Sequence, residues 1–149
     1  LWTGVLPLLA RLTTTPRPNV QRHLALAIAH TCRFPDNRAE FGRLRGVIPL
    51  VSFLSSSDHD VARNACLAVN NLSLVPANSV ALREASAVDI LVKHCLRWDD
   101  QVMQDEASGA LMNIIYTFRP GTNLGMDLTD PAARSTSTGD WRDVAGAPD

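Results

Sequence analysis

Val61, Ala65, Ala68, Val69 and Leu72 fall at i, i+4, i+7, i+8 and i+11, which is the beat of about 3.6 residues that gives a helix a single apolar stripe. Asn64, Leu67 and Asn71 stand at i, i+3 and i+7 on another face of the same helix. Upstream the pattern predicts two shorter helices. The middle of the chain therefore reads as a first helix from about Asn37 to Leu44, a second from Val47 to Ser55 and a third from about Asp58 to Ser73. The punctuation agrees. Gly46 suits the left-handed conformation that ends a helix sharply, Pro49 sits in the next helix's first turn, where its missing N–H costs little, and Asp58 is placed to cap the third helix.

This pattern repeats. Gly4-Val5-Leu6-Pro7-Leu8-Leu9 returns as Gly46-Val47-Ile48-Pro49-Leu50-Val51 and, more loosely, as Ala87-Val88-Asp89-Ile90-Leu91-Val92, at offsets of 42 and 41 residues. Val20-Gln21-Arg22, Val61-Ala62-Arg63 and Val102-Met103-Gln104 stand 41 apart each time, as do Asn37 and Asn78. In the third copy Ala87 and Asp89 replace the Gly and the Pro, so a locally different turn is expected there. A period of about 40–47 residues belongs to helical solenoids of two or three helices per unit. The apolar stripe of the third helix cannot be buried inside one unit, so neighbouring units must cover it. The expected architecture is all-α: a right-handed α-solenoid with a partial repeat at 1–34, full repeats at 35–76 and 77–118, and a Gly/Pro/Ser/Thr-rich tail at 119–149. In the tail Trp141 is the expected anchor, docking on a helix or on a partner. Residue 1 is Leu and the first pattern opens in mid-turn, so the chain reads as part of a longer one.

Composition narrows the function classes. The chain is 46% hydrophobic and only 5% aromatic, with a formal net charge of −1, which gives no global attraction to nucleic acid or to an anionic membrane. The charge is unevenly placed: residues 1–50 carry a net of +5 and residues 51–149 a net of −6. In an elongated stack that polarity can orient a charged partner, although solvated helix faces give the same asymmetry. Cys32, Cys66 and Cys95 are odd in number and widely spaced within apolar helical patterns, so they read as small core residues of a protein in a reducing compartment and not as a disulfide framework or metal site. No run of 18 apolar residues and no basic-then-apolar leader occurs in the sequence, so no membrane-spanning or export signal is read from it. GxSxG, GxxxxGK[ST], HExxH and GxGxxG after a strand are all missing, and no cofactor or small-molecule substrate is expected.

The segment Gly46 to Leu54, followed by Val61-Ala62-Arg63-Asn64-Ala65-Cys66-Leu67-Ala68-Val69-Asn70-Asn71-Leu72-Ser73, resembles the armadillo repeat, and three helices per period favour that family over HEAT. More narrowly, Phe34-Pro35-Asp36-Asn37-Arg38-Ala39-Glu40-Phe41-Gly42, the Val-Ile-Pro-Leu-Val helix and Gln104 to Ile114 are similar to the last repeats of the armadillo subunit of the outer-dynein-arm docking complex of cilia. The resemblance implies a non-enzymatic scaffold, located in the ciliary or flagellar axoneme, whose partners are axonemal dynein, docking subunits and tubulin. It also implies a groove on the third helices. The Trp and Asn with which armadillo adaptors hold extended peptides correspond to Leu26 and His30, Leu67 and Asn71, and Gly109 and Asn113. The Trp is never present, which argues against a basic localisation peptide and leaves an adaptor for other extended peptides as the alternative function.

The candidate groove is thus His23, Leu26, His30, Asn64, Leu67, Asn71, Gly109 and Asn113. Asn71 and Asn113 suit two roles equally: hydrogen-bonding the backbone of an extended ligand, or bonding a neighbouring helix. His23 and His30 lack a third ligand nearby, and His59 and His94 lack companions, so all four read as ordinary histidines and no metal is expected. Arg11, Arg17, Arg22 and Arg33, continued by Arg38, Arg43 and Arg45, form a candidate basic surface for acidic proteins, with too little aromatic interleaving for nucleic acid. Asp99, Asp100, Asp105 and Glu106 cluster at the start of the last third helix, where capping and the helix dipole explain carboxylates. Trp98 is expected to pack between units. Truncating the stripe at Leu72→Ala is expected to cost on the order of 2–5 kcal/mol, measured as a lowered denaturation midpoint; an unchanged midpoint contradicts the assigned helix facing.

Overall fold

The computed structural model describes residues 4–118. These form α1 (Val5–Leu12), α2 (Pro18–Thr31), α3 (Pro35–Arg43), α4 (Val47–Leu54), α5 (His59–Leu72), α6 (Pro76–Glu84), α7 (Ala87–Cys95) and α8 (Gln101–Thr117), with no strand among them. α3–α4–α5 and α6–α7–α8 are successive short-short-long units, and α1–α2 supply the last two helices of a preceding one. The predicted middle unit is met to within two residues at each end. Its first helix starts earlier than expected because Pro35 takes the first helical position, as Pro18 and Pro76 do in α2 and α6. The tail, with Trp141, and Trp2 lie outside the described residues.

The third helices α2, α5 and α8 lie in sequence, with α5 packed between the other two and against α4. Val61, Ala65, Ala68, Val69 and Leu72 all have no exposed surface. Cys66 and Ala62 widen that stripe, which is how a helix enclosed by neighbours differs from one with a single wet face. The stripe is carried by alanines as much as by large residues, so the helices approach closely and each unit depends on the next for its burial.

The turn between first and second helices corrects the expectation for Gly46. Gly46 has an ordinary φ of −77°; the left-handed position belongs to Arg45, at φ 59°. Arg45 N–H donates to Gly42 O at 2.9 Å and Gly46 N–H to Phe41 O at 3.1 Å, the pair of bonds that closes a Schellman motif. Gly46 is small for a different reason: a Cβ there would run into the Phe41 ring. The third unit keeps the left-handed position at Ser86, φ 63°, whose N–H donates to Arg83 O at 3.0 Å, while α7 starts at Ala87, one position earlier in the repeat than α4. Leu82 stands there in the place of Phe41, and the smaller side chain leaves room for the alanine.

The register also needs one correction. Val102 keeps the 41-residue beat with Val61 but is 45% exposed, and Met103 is the fully buried residue. The capping aspartates Asp58 and Asp100 are likewise 42 apart. The extra residue lies between α7 and α8, in the loop that carries Trp98.

Gly46→Ala is expected to cost about 1–3 kcal/mol through overpacking against Phe41. Adding Phe41→Leu, which recreates the Leu82/Ala87 pairing, is expected to recover part of that loss in chemical denaturation; a neutral Gly46→Ala contradicts the role given to the Phe41 ring.

Candidate protein-binding surface

Two pins join each third helix to the next. At the N-terminal end the caps do double duty. Asp58 Oδ1 accepts from Val61 N–H at 3.1 Å, while its Oδ2 receives Arg22 of the preceding third helix at 2.6 Å. Arg22 Nε is buried without a hydrogen bond and lies 3.6 Å from Asp60 Oδ2. One unit on, Asp100 Oδ1 accepts from Met103 N–H at 2.9 Å, and its Oδ2 meets His59 Nε2 at 2.6 Å and Arg63 Nε at 3.7 Å. The bond from Arg22, then the Val61 amide, holds the Asp58 carboxyl below its usual range. For Asp100 the Met103 amide is the main cause, with His59 and Arg63 adding to it. The expectation that His59 stands alone is therefore corrected, because the cap of the next unit is folded onto it. His94 also has a partner, Leu54 O at 2.6 Å across α7 and α4.

The second pin is made of asparagines. Asn64 Nδ2 donates to Arg22 O at 2.9 Å and Asn71 Nδ2 to Ala29 O at 2.8 Å, so two residues seven apart on α5 hold two carbonyls seven apart on α2. Each bond fixes its amide with Nδ2 toward α2 and Oδ1 turned away. Between α5 and α8 the arrangement centres on Asn70. Its Nδ2 donates to Glu106 at 2.7 Å, Asn113 Nδ2 approaches Asn70 Oδ1 at 3.3 Å and Ser73 Oγ at 3.0 Å, and a Cβ on Gly109 would run into the Asn70 amide. Asn70, Arg63 and His59 are not among the groove candidates read from the sequence. The recurrence of Arg22 and Arg63 at one spacing, and of Asp58 and Asp100 at nearly the same one, is the signal that points to Arg63; Asn70 and His59 have no such counterpart in the repeat.

The first helices carry a related device. Asn37 Nδ2 donates to Thr31 O at 2.9 Å and Asn78 Nδ2 to Leu72 O at 3.0 Å, adding to the backbone bonds that Phe34 and Val75 N–H make to these carbonyls at the end of the preceding third helix. This is the structural meaning of the repeated Asn.

On the resulting face His23 and His30 are exposed, and Leu26, Leu67, Gly109 and Asn113 are partly covered. The arginines do not form one patch. Arg11 and Arg17 lie near the α1–α2 turn, Arg33 follows the far end of α2, and Arg22 is engaged in the ion pairs described. Of the acidic cluster, Asp100 caps α8, Glu106 holds Asn70, Asp99 pairs with Arg97 at 2.8 Å, and Asp105 is exposed. Trp98 does not pack between units: it is 91% exposed, carried outward by the loop that is one residue longer than its counterpart and braced by the Arg97–Asp99 pair.

Burial pushes the Cys32 and Cys66 thiols up to about 12, which keeps them neutral and unreactive. Among the described residues there is no group of three or more His, Cys, Asp or Glu able to hold a metal ion. None of the described helices is long and apolar enough to cross a membrane.

The depressed carboxyls give a pH signature. Because Asp58 and Asp100 titrate lower folded than unfolded, their contribution is complete above the unfolded value of about 4 and is lost as pH falls through the folded values. The stability of Asp58→Asn and Asp100→Asn is expected to depend less on pH below about 4 than that of the parent, measured by denaturation at a series of pH values; an equal slope in parent and variants contradicts the role given to these caps.

Comparison with known proteins agrees with this geometry. The model of the armadillo/beta-catenin-like repeat matches residues 34–74. The chain is 33% identical over 106 residues to the armadillo repeat-containing protein gudu of Drosophila melanogaster, covering 71% of this chain and 16% of that protein, so it spans a small part of that relative's length. Among solved structures it is similar to an engineered protein at TM-score 0.69 and 30% identity, covering 76% of this chain and 47% of the other. It is also similar to a designed armadillo repeat protein in complex with the peptide (KR)4, at TM-score 0.67 and 23% identity, covering 76% of this chain and 51% of the other. The matched repeat, the related sequence and the shared stack of three-helix units show that the chain belongs to the armadillo-repeat family.

Proposed function

We propose that this chain is a non-catalytic protein-binding scaffold whose working surface is the face of α2, α5 and α8. The observation that carries the reading is the pair of pinned amides at Asn64 and Asn71. Each spends its N–H group on the preceding helix and so turns a fixed carbonyl oxygen away from it, about 10 Å from the next at a rise of about 1.5 Å per residue. Partly covered Leu26 and Leu67 lie on the same face. Rigid acceptors beside aliphatic surface suit the backbone N–H groups and apolar side chains of another protein.

The specific version is a ciliary one: an axonemal scaffold that helps dock outer-arm dynein on doublet microtubules, with docking subunits and tubulin as neighbours. It rests on the resemblance carried by residues 34–42, 47–51 and 104–114 alone. The second reading is an adaptor that takes extended peptides, and the outward amide oxygens favour it. The designed relative with its (KR)4 peptide illustrates that use of the fold; here Leu26, Leu67 and Gly109 offer a basic side chain no aromatic ring.

The test is cross-linking and mass spectrometry of proteins captured from ciliated cells by the chain and by its Leu26→Arg/Leu67→Arg variant. Outer-arm dynein, docking subunits and tubulin, recovered by the parent and lost by the variant, support the axonemal scaffold. Adhesion or signalling proteins lost in the same way replace it with the adaptor reading, and equal recovery by both baits removes this face as the binding surface.

A further inference from the structure

Counted from the capping aspartates Asp58 and Asp100, Asn64 and Glu106 are the sixth residue after the cap, Leu67 and Gly109 the ninth, and Asn71 and Asn113 the thirteenth. From α5 to α8 the face therefore keeps its amide at the last of these places, but exchanges an amide for a carboxylate at the first and loses the leucine between them. Asn64, Leu67 and Asn71 are only partly covered although α2 and α8 both pack against α5. Openness at these places belongs to the face itself and is not the effect of a missing neighbour.

Glu106 cannot do what Asn64 does, because a carboxylate has no N–H to give to a carbonyl of the preceding third helix. It accepts instead. Asn70 Nδ2 donates to Glu106 Oε2 at 2.7 Å, and Asn70 is itself set by Asn113 Nδ2, 3.3 Å from its Oδ1. These neutral amides fix the carboxylate without cancelling its charge. His59 and Arg63, the cations of α5 on this side, are turned to Asp100, and among the described residues no Lys, Arg or His forms an ion pair with Glu106. A partly covered charge without a counter-ion carries a desolvation cost that a ligand's cation offsets. Gly109 supplies the room: where Leu26 and Leu67 stand on the earlier third helices, α8 has bare backbone one turn from Glu106, bordered by the Asn70 amide.

The structure assigns Glu106 as the specificity residue of the proposed face: it takes a lysine or arginine side chain of an extended partner segment, with the aliphatic stem over Gly109 and the cation on the carboxylate. The assignment rests on the reading of that face as a binding surface and adds its chemistry. Recognition here is by charge and needs no aromatic ring. Along the stack a partner meets a neutral amide oxygen at Asn64 and a negative one at Glu106, so a segment with a single cationic residue is held in one register. An acidic residue at the same place is rejected by like charge.

The test is fluorescence polarisation of labelled peptides with the full 149-residue chain. The probes are an array of end-capped Ser/Leu peptides in which one position, moved along the peptide, is Arg, Gln or Glu. With the parent, the best-placed Arg peptides are expected to bind about tenfold tighter than their Gln counterparts, and the Glu peptides more weakly than either. Glu106→Gln keeps an oxygen for Asn70 Nδ2 and is expected to abolish this preference while the Gln peptides bind as before. Glu106→Lys is expected to turn the preference toward Glu. Circular dichroism shows that each variant keeps its helices. Peptides bound by the parent without preference for Arg, or a preference that survives in Glu106→Gln, overturn the assignment and leave the face a binding surface. Binding of no peptide in the array removes the face as a surface for extended segments, and the assignment falls with it.

Discussion

The burial of α5 between α2 and α8 is the contact on which the rest of the molecule depends. The α5 stripe mixes Val61, Val69 and Leu72 with Ala62, Ala65 and Ala68: the larger side chains gain at about 25 cal/mol per Å² of apolar surface buried, and the alanines let backbones approach, so that polar side chains can reach across. The Asn64 and Asn71 bonds to α2 carbonyls and the Arg22–Asp58 pair exist only at that spacing. Close packing and polar pinning are therefore one interaction. Gly109 shows this on the other side of α5, where the absent Cβ is what lets the Asn70 amide lie against α8.

The same contact shapes the surface proposed to bind. Asn64 and Asn71 on the proposed face are held by bonds made backward along the stack, so in that reading recognition and folding share residues. Both spend their amide nitrogens on carbonyls of the neighbouring helix, and the proposed function gives their oxygens to a ligand. A surface built in this way is rigid before the partner arrives, which lowers the ordering cost of binding.

Much of the fold is legible in the sequence because the repeat places the same demand at the same offset. The stripe from Val61 to Leu72, the cap at Asp58 and the helix boundaries around Val47 all follow from local periodicity and turn chemistry. What periodicity does not give is any feature set by contact between elements. Gly46 reads as the left-handed residue because glycine commonly is; that position falls to Arg45, and the glycine is reserved for the Phe41 ring of the preceding helix. Val102 reads as the stripe residue because the spacing repeats, yet one added residue in the α7–α8 loop moves that role to Met103. Trp98 reads as packing material and is carried into solvent by the same insertion. Of the candidate binding face, the positions on the third helices are readable, whereas Asn70, His59 and Arg63 acquire their roles only from residues 36 to 43 positions distant.

Native-state hydrogen exchange, followed amide by amide, tests most directly whether the central junction holds the stack together. The α5 amides from Ala65 to Leu72 are predicted to exchange last, by global unfolding, with α2 and α8 opening before them. Exchange of α5 ahead of, or independently of, both neighbours would contradict a stack held by that junction.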